Sequence, residues 1–201
     1  MDECTVQNDP STPNDWLLRL PSQIYDEDKV NLQAQVKPEW SQMVWGSIWI
    51  GSWSDLMIMC RDEAAPHKGY SSMSYIQTLE EGLIPCYLPR TFFLQDNAKI
   101  HTSRATMTWF RNYNIRLQPH PPHSPDLNPI EHIWKAMKAI LRKRYPHLWI
   151  LRKNEANRLI FEDALKAAWW AVPQSLIDKL IRSMPRRLRA VRKARGYYTK
   201  Y

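Results

Sequence analysis

Residues 123–138 read HSPDLNPIEHIWKAMK, and this stretch decides the architecture. Its second half places Ile130, Ile133, Trp134 and Met137, followed by Ile140 and Leu141, at the i, i+3, i+4, i+7 spacing of an amphipathic helix. One face of that helix must therefore pack on a second layer. Asn128 is a favoured N-cap, Pro129 suits the first helical position, and Glu131 falls third, where a capping box returns a side chain to the cap. Such a box is worth about 1 kcal/mol and accounts for Glu131 without any chemistry.

Upstream of this helix the pattern alternates. TFFLQ (91–95) reads as a buried strand, Arg104 to Tyr113 as a helix carrying Trp109 and Phe110, and IRL (115–117) as a short strand. SSMSYIQTLEEGL has helical spacing, with Tyr75, Ile76, Leu79 and Leu83 on one side. Earlier still, MVWGSIWIG (43–51) and SDLMIMC (54–60) are short apolar runs broken at Gly51 and Ser52, and Val30 to Val36 alternates, so the opening is antiparallel sheet. Downstream, helices are expected at about 155–171 and 175–184. Strands first, then alternating helix and strand, then helices is the order of a mixed α/β layered domain.

Composition narrows the class. No apolar run reaches the roughly 18 residues of a membrane span, and the N-terminus MDECTVQNDPSTPND lacks the basic and apolar parts of a signal peptide, so a soluble intracellular protein is expected. Cys4, Cys60 and Cys86 lie far apart and outline neither a disulfide framework nor a cysteine zinc site. Residues 1–22, rich in Asn, Asp, Ser, Thr and Pro, read as a loosely ordered lead-in. The chain carries a net charge of +8, and residues 181–201 hold eight Lys or Arg and no acid, which places the whole excess in a basic tail suited to a polyanion. His120, His123 and His132 match no helical zinc spacing, and Ser124 has no acid–base partner at a recognisable distance.

Two carboxylates remain. Asp96 follows the strand FFLQ directly, a position open to plain turn chemistry but also the end of an α/β sheet where ligand sites form. Glu131 lies in the helix already described, with 34 residues (97–130) between the two.

Taken with their flanks, these acids resemble the mariner superfamily of cut-and-paste transposases, in the branch whose third acid is Glu. FLQDNAKIHTS (93–103) is similar to the family's second acid motif and PPHSPDLNPIEHIWKAMK (121–138) to its third; MVWGSIWIG resembles its central strand and SMPRRLRAVRKARGYYTKY its fungal-type C-terminal end. The resemblance covers most of residues 40–201. It implies a ribonuclease-H-like endonuclease domain over 23–150, with C-terminal helices and the basic tail over 151–201. It also implies two Mg²⁺ or Mn²⁺ ions held by three acids, because hard divalent ions take oxygen ligands and two of them serve phosphodiester chemistry. Asp96 and Glu131 supply two of the acids. The first is expected at Asp26 in IYDEDKV, with Asp28 as its nearest substitute, while Asp55 reads as a turn residue. Only 69 residues (27–95) separate Asp26 from Asp96, so part of the first hairpin is expected to be missing. His101 falls on the histidine of the second motif.

By the same resemblance the protein cuts DNA at transposon ends and joins it to a target in the nucleus, as a possible homodimer, with Arg186, Arg187, Arg189 and Arg192 as phosphate contacts. Family members carry helix-turn-helix modules ahead of the catalytic domain, and Met1 stands 25 residues before Asp26, so a truncated chain is expected. One rival is a catalytically decayed or host-adopted derivative that binds nucleic acid without cutting. Another is a structure-selective nuclease on the same fold.

Overall fold

The computed structural model describes residues 1–7, 41–121, 124–197, 199 and 201. The strand expected at Val30–Val36 and the acids Asp26 and Asp28 lie outside the described residues.

The first element is a surprise. Residues placed in a loose lead-in form strand β1, Asp2–Gln7, paired antiparallel with β2, Ser41–Gly46, in a register that sets Asp2 opposite Gly46 and Gln7 opposite Ser41. β2 pairs on its other side with β5, Met57–Ile58. The apolar run expected as one strand over 43–51 is divided. The Ser47 carbonyl accepts from the Ser54 amide at 2.9 Å while the Ser47 amide donates to Ser54 Oγ at 2.9 Å, and the chain beyond folds into a hairpin of β3, Ile48–Trp49, and β4, Ser52–Trp53. Gly51 in that turn has φ +85°, a conformation that glycine adopts without strain.

Helix α1, Ser72–Gly82, starts in a capping box made by Ser71 and Ser74. Then come β6, Phe92–Leu94, the short α2, Lys99–Thr102, α3, Arg104–Asn112, and β7, Arg116–Gln118, which runs parallel to β6. The Met1 amino group donates to the Leu94 carbonyl at 3.0 Å and so links β1 to β6. β5, β2 and β1 form one three-stranded sheet in that order, and β6 and β7 form a separate parallel pair. Four helices complete the chain: α4, Ile130–Arg144, α5, Glu155–Trp170, α6, Gln174–Arg182, and α7, Met184–Lys193. The last of these occupies what reads from sequence as a simple basic tail. No described helix is long and apolar enough to cross a membrane.

Strand alternation sorts the side chains into two cores. Cys4, Val6 and Val44 pack on one face with Ile133, Trp134 and Met137 of α4 and Leu165 and Trp169 of α5. Met1 and Trp45 face the other way, onto Tyr75 and Leu79 of α1 and Trp109 and Phe110 of α3. Fully buried side chains of this size contribute about 1.5–3 kcal/mol each, so the helices on both faces hold the sheet between them. The Trp134 and Trp169 rings stack with centroids 5.0 Å apart, and Trp169 Nε1 donates to the Ser54 carbonyl at 2.8 Å. Gly46 admits that stack: a Cβ there would lie 2.9 Å from Trp169 and 3.0 Å from Trp134.

Candidate active site

The two-residue period of β1 also sorts its acids. Asp2 shares a face with Cys4 and Val6 and points toward α4, while Glu3 points toward α1 and α2. Asn128 Nδ2 donates to Asp2 Oδ2 at 3.2 Å, which ties the start of β1 to the turn that opens α4. Glu131 lies exposed in the first turn of that helix. The capping box expected here is absent, because the Asn128 side chain serves Asp2 and no side chain caps α4. Glu131 is thereby left without the structural duty that explained it from sequence.

Burial pushes the Asp2 carboxyl up to about 7, assisted by the negative charges of Glu3 and Glu131. Like charges are being held together at one end of the sheet.

Asp96 follows β6 and accepts the Ala98 amide on Oδ1 at 2.9 Å, in a turn that leaves half of its side chain exposed. His101, buried at 1% exposure, bridges the two strands: Nδ1 lies 2.6 Å from Asp96 Oδ1 and Nε2 3.1 Å from Glu3 Oε1. Burial by itself would lower the imidazole pKa, but Glu3 and Asp96 together outweigh it and hold it above the ordinary value. With a proton on each nitrogen, the ring donates to both carboxylates. Beneath it, the Tyr75 hydroxyl donates to Gln95 Oε1 at 2.7 Å; burial drives its pKa well up, with Glu3, Asp96 and Asp2 adding to the shift. Asn97 Nδ2 donates to the His120 carbonyl at 2.8 Å and anchors the proline-rich loop beside the same strand end.

Asp2, Asp96 and Glu131 are thus delivered to one end of the sheet by β1, by the β6 turn and by α4. Among the described residues no three acids, histidines or cysteines already stand close enough to enclose an ion. A neighbouring apolar cavity of about 250 Å³, lined by Met1, Trp49, Phe92 and Pro129 among others, includes none of the three acids.

The basic residues divide. Arg186, Arg189 and Arg192 are exposed along α7, which packs against the turn at 125–127 just ahead of α4. Arg187 corrects the expectation that all four arginines meet phosphate. It is 1% exposed, donates through Nε to Ser183 Oγ at 2.8 Å and through Nη1 to the Asp126 carbonyl at 2.9 Å, and lies under the Tyr201 ring. Its charge is spent inside the protein.

Residues 53–148 match the family model of the DDE superfamily endonucleases. Over 109 residues the chain is 41% identical to the Tcb1 transposase of Caenorhabditis briggsae and 43% identical to the Tc1 transposase of Caenorhabditis elegans. Each alignment takes in 54% of this chain and 37% of the relative, so the chain matches well under half the length of these relatives. Among solved structures, the catalytic domain of Mos1 mariner transposase superposes with a TM-score of 0.58 at 20% identity, over 80% of this chain and 76% of that one. A Mos1 paired-end complex with the left transposon end superposes at 0.66 and 18% identity, over 98% and 55%. Likeness at that identity is likeness of fold, and it places the chain in the mixed α/β, ribonuclease-H-like class expected from sequence.

The sequence reading did not single out Asp2 or Glu3. A signal was present: Asp-Glu opens an alternating run, Cys4-Thr5-Val6, which is the same acid pair at a strand that was sought at 26–27. Between Asp2 and Asp96 there are 93 residues (3–95), against 69 from Asp26.

Proposed function

We propose that this domain hydrolyses phosphodiester bonds at DNA transposon ends and joins the freed 3′ ends to a target, with Asp2, Asp96 and Glu131 as its three acids. The observation that carries this reading is the meeting of β1, the β6 turn and the start of α4, where Asn128 holds Asp2 and His101 joins Asp96 to Glu3, the neighbour of Asp2. Carboxylates that repel one another at a strand end are a donor set suited to a divalent cation, whose charge would relieve the repulsion. Hard oxygen donors suit Mg²⁺ or Mn²⁺, and Mos1 catalytic domain structures have been solved with each. Held by these side chains, two such ions would supply activation of the attacking oxygen and stabilisation of the leaving oxygen.

The remaining work falls to the chain itself. His101 holds Asp96 and Glu3 in fixed relation through its two ring nitrogens, and Asn128 fixes the Asp2 carboxylate against α4. Exposed Arg186, Arg189 and Arg192 offer phosphate contacts on a helix packed beside the turn that leads to Glu131. The relatives are transposases and the Mos1 neighbours include paired-end and strand-transfer complexes. They support DNA ends as the substrate; two copies as the working assembly and a nuclear site of action are part of the proposal.

The test is nicking of supercoiled plasmid in Mg²⁺ or Mn²⁺, followed by joining of a pre-cut end. Loss of nicking in Asp96→Asn and Glu131→Gln, with wild type active, is the expected result. A folded wild type that binds DNA and never cuts would replace this reading with that of a decayed binder.

A further inference from the structure

The turn that delivers Glu131 is held from the far end of the chain. Asp126, five residues before Glu131, is gripped at both its main chain and its side chain. Arg187 of α7 donates Nη1–H to its carbonyl at 2.9 Å. Thr199 donates both its amide, at 3.0 Å, and its hydroxyl, at 2.6 Å, to Oδ2. The tail closes on itself above this point: the Tyr201 amide donates to Thr199 Oγ1 at 3.3 Å, and the Arg187 guanidinium carbon lies 4.9 Å from the centre of the Tyr201 ring.

Ser124 to Asn128 forms one short 3-10 turn, closed by the Leu127 amide on the Ser124 carbonyl at 3.0 Å, and α4 begins without a side-chain cap. A short turn rich in proline and lacking a cap depends on outside contacts for its position. A hydroxyl and an amide sharing one carboxylate oxygen are charge-assisted bonds, roughly twice as strong as neutral ones. Arg187, almost fully buried in an otherwise solvent-facing helix, is the only described residue of α7 that is buried, and its exposure of 1% is that of a core side chain.

We propose that Thr199 and Tyr201, together with Arg187, form a strap that sets the position of the Ser124–Glu131 segment and, through it, of the Glu131 carboxylate. Arg187, Thr199 and Asp126 are then positioning residues, and the C-terminal end of the chain is part of the active-site framework. The last step of this inference rests on the reading of Glu131 as a metal ligand.

The experiment compares the full chain as wild type, Thr199→Val and Thr199→Ser. Amide hydrogen exchange at Leu127 and Glu131 is measured without metal, and Mn²⁺ affinity is measured by calorimetry. Removing one charge-assisted bond from a surface turn is expected to speed exchange there by about tenfold. Mn²⁺ affinity should fall by a similar factor in Thr199→Val, and Thr199→Ser should restore both, since it keeps the hydroxyl. Unchanged exchange in Thr199→Val overturns the strap. Faster exchange with unchanged Mn²⁺ affinity overturns the link to Glu131. Faster exchange in a protein whose wild type binds no Mn²⁺ upholds the strap and removes the metal reading alone.

Discussion

Replacing Asp2 by Asn should stabilise the metal-free protein at high pH, and the size of the gain follows from the site. In the unfolded chain the Asp2 carboxyl loses its proton near 3.8, whereas in the fold it does so at about 7. Between those values the folded protein retains a proton that the unfolded chain has released, so stability declines as pH rises from about 4 to 7 and then levels off. A shift of about three units corresponds to about 4 kcal/mol at the rate of ~1.4 kcal/mol per unit. Asp2 is only half-buried, and solvent screening reduces this to about 2 kcal/mol. Asn takes no proton and escapes the loss, while its side-chain oxygen can still accept from Asn128. Urea unfolding in the presence of a chelator at pH 4.5 and pH 8 reads the effect directly. The variant should exceed wild type by only about 0.5 kcal/mol at pH 4.5 and by about 2 kcal/mol at pH 8. Added Mn²⁺ should then stabilise wild type more than the variant. An equal difference at both pH values, or a variant weaker at pH 8, would refute the claim that burial, with Glu3 and Glu131 beside it, raises the Asp2 carboxyl.

Four other outcomes follow from separate parts of the molecule. His101→Ala removes the ring that bridges Glu3 and Asp96 and should cost about 2–4 kcal/mol. Because His101 holds its proton above the ordinary 6.5, the deficit should be fully present below pH 6.5 and shrink as pH rises through the folded value, which a pH series of unfolding curves would show. Gly46→Ala pushes a methyl to 2.9 Å from Trp169, and a loss of about 1–3 kcal/mol with altered tryptophan fluorescence is expected. The triple variant Arg186→Ala, Arg189→Ala, Arg192→Ala should weaken DNA binding on any sequence and lower the salt slope by about 3. Arg187→Ala should instead lower the melting temperature, since that side chain is buried among protein partners.

Much of this architecture is legible in the sequence because it is local. The apolar periodicity of α4, the strand FFL ahead of Asp96 and the aromatic helix carrying Trp109 and Phe110 each announce themselves within a dozen residues. β1 does not. Its six residues are held by pairing with β2, more than thirty positions later, and the polar composition that follows Gln7 hides the short alternation within it. Helix α7 is obscured for a related reason. Its sequence MPRRLRAVRK offers almost no apolar face, and what fixes it is a buried arginine whose partners come from Ser183 and from Asp126, some sixty residues earlier. The capping box at Asn128 is sound local chemistry that a distant carboxylate overrides. Asp96 and Glu131 could be named from motif and spacing, but the company they keep could not, because Asp2, Glu3 and His101 meet only once the sheet has formed.

The central claim is that Asp2 joins Asp96 and Glu131 as the first acid. Mn²⁺ binding measured by calorimetry on wild type, Asp2→Asn and Asp26→Asn tests it most directly. The account predicts that Asp2→Asn loses at least tenfold in affinity while Asp26→Asn binds as wild type does. Loss in Asp26→Asn with full binding in Asp2→Asn would contradict it and return the first acid to the later Asp-Glu pair.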